Sequence, residues 1–123
     1  MPVLYLPHGG GPLPLLGDPG HKDVTEFLKN IRSRLGQPSA ILVVSAHWEE
    51  ARPTIQSAEH PEMLYDYSGF PPETYKITYP APGQPELAKE IRGELDKTGF
   101  KSGLDGERGL DHGVFVPLKL IFP

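Results

Sequence analysis

The chain alternates short apolar runs with longer polar stretches, and the spacing of its apolar positions predicts the elements. Ile41-Leu42-Val43-Val44 is a consecutive aliphatic run rich in β-branched residues, followed by Ser45-Ala46-His47-Trp48-Glu49. Such a run reads as a strand buried on both faces, as inside a parallel sheet. Val3-Leu4-Tyr5-Leu6 has the same shape and stops at Pro7-His8. Between the two, Val24, Phe27, Leu28, Ile31 and Leu35 recur at helical spacing, with Asp23 to cap the start and Gly36 to close the end. Strand, helix and strand within ~30 residues describe a right-handed crossover. The two strands are therefore expected side by side and parallel, ~4.8 Å apart, each delivering a histidine at the end where open α/β sheets place their ligands.

Beyond this unit the pattern is more broken. Residues 52–57 read as a short edge strand, 77–79 and 100–104 as further brief strands, and 60–76 as an aromatic and proline-rich excursion. Loops of that length are uncommon unless functional, so the excursion is expected to wall or cover a pocket. Pro85 opens a second helix with Leu87, Ala88, Ile91 and Leu95 on one face and Gly99 past its end. Residues 114–122 are expected to form a helix with Pro117 tolerated in its first turn. This last stretch is strongly apolar, and the expectation is that it lacks a packing partner and drives self-association. The fold class implied is α/β, one domain over residues 1–123, with a largely parallel central sheet flanked by helices in a truncated three-layer arrangement.

Composition narrows the chemistry. A net charge of −4, with both signs interspersed, gives no basic footprint for nucleic acid or membrane. With no cysteine there is no disulfide framework and no thiolate site, so a metal would be held by His, Asp, Glu or water. No signal or membrane-spanning segment is legible, and the expected compartment is cytoplasmic. His8, His47 and His112 stand where one element gives way to the next, the placement expected of metal-binding or catalytic groups. His21, in a loop near a helix start, reads as solvated. His8-Gly9-Gly10-Gly11 is like an oxyanion-hole sequence of esterases, but no Gly-x-Ser-x-Gly elbow accompanies it. Pro12 and Pro14 stand where a dinucleotide-binding helix would begin.

Five motifs in order along the chain carry a resemblance. They are Pro7-His8-Gly9-Gly10-Gly11-Pro12, Ser45-Ala46-His47-Trp48-Glu49, the stretch from Tyr67-Ser68-Gly69-Phe70 through Glu73-Thr74-Tyr75, Tyr79-Pro80-Ala81-Pro82-Gly83, and Gly109-Leu110-Asp111-His112-Gly113 with Val116-Pro117-Leu118. Together they resemble the class III extradiol ring-cleaving dioxygenases, and within them the 4,5-DOPA extradiol dioxygenase branch. The resemblance implies a non-haem Fe(II) enzyme, with zinc as an alternative occupant, that binds a small aromatic diol and O2 and opens the ring next to the diol. It implies that His8 and His47 are metal ligands and that His112 lines the substrate and oxygen pocket as a catalytic group. Tyr67, Phe70 and Tyr75, with Tyr65, are expected to shape the substrate pocket. Members of the family are roughly twice this length, with a further metal ligand in the second half, so the chain is similar to the N-terminal part of one, and its metal site and activity are expected to be incomplete. The runner-up expectation is a non-catalytic metal-binding or interaction domain that keeps the fold.

Overall fold

A computed structural model describes all residues, 1–123. The chain forms two compact units, the first from Met1–Ser45, Tyr65–Ile77 and Asp111–Pro123, the second from Ala46–Leu64 and Thr78–Leu110. The architecture is α/β: a small parallel two-stranded sheet and three α-helices, joined by 3-10 turns and extended chain.

The first unit is built on α1 (Lys22–Leu35) and α3 (His112–Ile121). The apolar stripe of α1 behaves as its periodicity predicts, with Leu28 and Ile31 packing against Leu120 and Ile121 of α3. Leu6, Leu15, Val24, Leu35 and Phe122 fill in around them. Burying each such side chain contributes about 1.5–3 kcal/mol relative to exposure. Gly36 ends α1 at φ 70°, a left-handed φ that costs a glycine little. The capping role expected of Asp23 is not taken: the helix starts one residue earlier, and Asp23 sits in the first turn, where its charge suits the helix dipole.

Helix α3 is where the structure departs most from expectation. Its apolar side chains are buried: Phe115, Val116, Pro117, Leu120 and Ile121 all face the interior of their own unit. The expected apolar patch at the C-terminus, and the self-association argued from it, therefore lose their physical basis. Pro117 lies in the second turn of the helix and not the first. Its missing N–H costs the helix bond to the Gly113 carbonyl.

The two runs read as buried parallel strands form no regular element. Residues 1–8 and 41–45 form no strand, and Val3, Tyr5, Leu42 and Val44 are exposed, Tyr5 and Val44 to more than nine-tenths. A segment without a ladder has no bonds of its own for its backbone N–H and C=O groups, and of the first run only Leu6 packs against the core. The expected spacing of these two runs as adjacent strands is thus not realised.

The sheet is instead in the second unit. It pairs β1 (Thr54–Gln56) with β2 (Gly103–Asp105), in parallel, with Thr54 opposite Gly103 and Gln56 opposite Asp105. Strand β1 falls inside the predicted stretch 52–57, and β2 overlaps the predicted 100–104 but runs on to Asp105, whereas 77–79 forms none. Backbone bonds from Gly103 to Pro53 and from Ser57 to Asp105 extend the ladder at each end. Helix α2 (Pro85–Lys97) packs on this sheet, opened by Pro85 in its first turn as predicted. Its end is tied by Asp96, whose carboxylate accepts both the Ser102 hydroxyl at 2.7 Å and the Ser102 N–H at 2.9 Å. Those bonds hold Asp96 below its ordinary pKa. No helix of the chain is long and apolar enough to cross a membrane.

Candidate functional site

His112 is the best-defined of the histidines, and its placement begins with helix termination chemistry. The first N–H groups of a helix lack intrahelical partners. At α3 the preceding residue, Asp111, would be the usual cap, but its side chain makes no capping bond. It accepts the Ser45 hydroxyl at 2.8 Å instead. Asp66 takes over from across the chain, its Oδ1 accepting the His112 backbone N–H at 3.0 Å and the ring Nδ1–H at 2.8 Å. Burial alone pushes the Asp66 carboxyl up, but the His112 backbone and ring bonds and the charge of His112 outweigh it, so the net shift is downward. An ionised Asp66 can only accept, which puts the proton on Nδ1 and the lone pair of the neutral ring on Nε2.

His8 meets this ring edge to face, with centroids 4.9 Å apart and planes at 86°. It rides on the glycine turn that follows it, where Gly9 and Gly11 take φ 75° and 52°, conformations open to glycine at little cost. Gly11 carries the rim of Phe70, which sits where a side chain at that position would begin. His47, more exposed, is steadied by Arg108, whose Nη2 donates to the His47 carbonyl at 3.1 Å while its guanidinium lies 5.2 Å over the Trp48 ring. Within the first unit, His8 and His112 bring one imidazole nitrogen each within 4.8 Å of the other, a pair able to share a metal ion.

Around His112 the aromatic excursion folds into a wall. Tyr67 lies 6.0 Å from the His112 ring, 5.4 Å from Phe70 and 5.4 Å from Tyr75, all between centroids. Tyr65 and Phe115 close the cluster from behind. The hydroxyls are spent on local backbone: Tyr65 donates to Ile77 at 2.6 Å, Tyr67 to Thr74 at 2.7 Å and Tyr75 to Tyr67 at 3.4 Å. Burial, and then the neighbouring tyrosines and Asp66, hold the Tyr67 phenol above its ordinary pKa, so it stays neutral.

Sequence reasoning placed His8, His47 and His112 in one group and missed the groups that hold them. Asp66 gave no signal beyond being the one charge between Tyr65 and Tyr67. His21 was misread as solvated. It is half-buried, its Nδ1 2.7 Å from Asp18 and its Nε2 accepting the Gly10 N–H at 3.0 Å. The Asp-x-x-His spacing, which puts both side chains on one side of a tight turn, was the overlooked clue.

With this geometry in view, relationships to known proteins become informative. Residues 2–123 match the family described as the catalytic LigB subunit of aromatic ring-opening dioxygenase. The chain belongs to that family. It is 47% identical to dioxygenase tasH of Hapsidospora irregularis over 99% of this chain and 40% of that protein. It is 41% identical to a 4,5-DOPA dioxygenase extradiol of Beta vulgaris, covering 98% of this chain and 45% of the relative. Against the Escherichia coli protein of the same description it is 36% identical over its whole length and 44% of the relative. This LigB-family chain thus spans less than half the length of the relatives it matches. The resemblance read from the five motifs holds at the level of the family.

Proposed function

We propose that residues 1–123 are the N-terminal portion of the catalytic domain of a non-haem Fe(II)-dependent extradiol dioxygenase, which opens a DOPA-like catechol beside its diol with O2. The observation that carries this reading is the pair of imidazoles His8 and His112, ring centroids 4.9 Å apart, with no thiolate available, in a chain of the LigB family. Neutral imidazole suits Fe(II) and Zn(II) alike, so zinc is the alternative occupant. His8 and His47 are assigned as ligands. A bound Fe(II) supplies redox capacity and open coordination positions for a chelating diol and for O2.

The chain's own residues supply the rest. With Nδ1 committed to Asp66, the His112 ring offers Nε2 to accept a proton from a substrate hydroxyl. The bond to Asp66 steadies the imidazolium that results, as a carboxylate partner does for a catalytic histidine. Tyr67, Phe70 and Tyr75 present ring surface to a flat aromatic substrate, since their polar atoms, where they have them, already serve the backbone. A second reading makes His112 a third ligand, because its ring lies 4.9 Å from that of His8.

Anaerobic Fe(II) and Zn(II) titration of the alanine variants, with oxygen uptake on a panel of catechols, tests these assignments. His8→Ala and His47→Ala are expected to lose most metal affinity, as two weak ligands and water hold an ion poorly. In a full-length relative, the change equivalent to His112→Ala is expected to keep the metal while turnover falls ~10²–10⁴-fold, the range for acid–base groups. Metal loss in His112→Ala establishes the three-ligand reading. Unchanged metal content in both His8→Ala and His47→Ala overturns the ligand assignment, and metal uptake without oxygen consumption favours the non-catalytic metal-binding alternative.

A further inference from the structure

The turn that carries His8 is made of three consecutive glycines, Gly9-Gly10-Gly11. Glycine has the most backbone freedom to lose on folding, so a run of it is a poor support for a side chain that must stay in one place. Something outside the turn has to hold it. Two rings do so from different directions. Phe70 packs at Gly11, and His21 packs at Gly9 and Gly10.

His21 does more than fill space. Its Nε2 accepts the Gly10 N–H at 3.0 Å, while its Nδ1 lies 2.7 Å from Asp18 Oδ2. The carboxylate can only accept, so the proton sits on Nδ1 and Nε2 presents its lone pair to the turn. Asp18 and His21 are themselves fixed to each other, since the His21 backbone N–H donates to the Asp18 carbonyl at 3.0 Å in the 3-10 turn Pro19–His21. That turn runs directly into α1, which is packed through Leu28 and Ile31 into the core. The imidazole lies so close over Gly9 that a Cβ there would overlap its Cδ2 and stand 2.9 Å from its Nε2. The glycine at this position therefore serves the approach of His21 as well as the positive φ.

We infer that His21 is a positioning residue: together with Asp18 it anchors the glycine turn to the start of α1 and thereby sets the position from which His8 acts. It touches neither substrate nor metal. The inference rests on the metal-ligand reading of His8 for its effect on affinity, but not for its effect on the turn, and the two effects are measured separately.

The experiment uses the full chain and three variants: His21→Phe, which keeps a ring but has no acceptor; His21→Gln, whose side-chain oxygen can accept the Gly10 N–H; and Asp18→Ala, which leaves the ring and removes the partner that fixes its proton. In metal-free protein, amide hydrogen exchange of Gly10 and the His8 ring resonances are followed by NMR. Gly10 protection is expected to fall at least tenfold in His21→Phe, to fall less in Asp18→Ala, and to be kept within about threefold in His21→Gln, with the His8 resonances broadened or shifted in the same order. Co(II) titration is expected to follow that order too, with at least a tenfold loss in His21→Phe and rescue in His21→Gln. Should His21→Phe not fold, Asp18→Ala against His21→Gln carries the same test. Gly10 protection and His8 resonances unchanged in every folded variant overturn the inference. Loss of protection with no Co(II) binding even in the unsubstituted chain leaves the anchoring of the turn standing and overturns the metal reading instead.

Discussion

Helix α3 and the runs at 1–6 and 41–44 are comparably apolar, belong to the same unit, and end in opposite states. Phe115 and Val116 are fully buried, whereas Val3 and Val44 are 87% and 93% exposed. The difference lies in the backbone. A helix satisfies its peptide groups within itself and can be carried into a core as a finished cylinder, with α1 supplying the facing stripe. A run without a ladder brings its N–H and C=O groups unsatisfied, and as a strand it would need another in register. Apolarity states what a segment would gain from burial; hydrogen-bond self-sufficiency decides whether the segment can collect that gain unaided.

Substitutions can break or sharpen this contrast. The largest effect is expected at Phe115→Ala, where a fully buried ring is removed and stability measured by denaturant unfolding should fall by about 3–5 kcal/mol. A loss comparable to that of a surface change would mean the helix is not part of the core. Next is Asp66→Ala, which strips two bonds from His112 at once. About 1–3 kcal/mol is expected, the usual cost of leaving a buried donor without its acceptor, together with loss of the single-tautomer nitrogen signature of the His112 ring.

The acid side of the same interaction has a definite sign. The folded-state pKa of Asp66 is depressed, so its contribution is fully present above the ordinary carboxylate pKa of about 4 and disappears as pH falls through the lower folded value. Unfolding curves of the parent and Asp66→Asn should therefore converge only at strongly acidic pH. Convergence near neutrality would show that the carboxylate does not stabilise the fold. A smaller effect is expected from Ser45→Ala, which removes the donor to Asp111 and should cost about 0.5–1.5 kcal/mol. Smallest of all, Val44→Ser should change stability by less than about 0.5 kcal/mol, as surface substitutions do. A cost of several kcal/mol there would mean that the exposed run is covered in solution.

The same contrast explains what could be read from the residues beforehand. Helices α1 and α2 were legible because their apolar stripe, the terminal Gly36 and the initiating Pro85 are local signals that need no knowledge of the rest of the chain. The positions of β1 and β2 were also marked by short strand-like runs, but their pairing joins residues nearly fifty positions apart, such as Ile55 with Leu104, and nothing local announces it. The runs at 3–6 and 41–44 form no strand because apolar content shows what burial would gain and says nothing of a partner. At the site, His8, His47 and His112 could be picked out as chemistry-bearing residues at element ends. Asp66 could not, since its role exists only through His112, 46 residues away.

One oxygen atom, Oδ1 of Asp66, receives both the first peptide N–H of α3 and the proton of the ring attached to the same residue. Two events usually treated as independent, fraying of a helix end and tautomer exchange of an imidazole, are thereby linked. The Nδ1 proton is held by the same carboxylate oxygen that receives the helix N–H. Opening of the first turn of α3 and loss of the Nδ1 proton of His112 therefore draw on the same acceptor, so a change that frees one is expected to loosen the other.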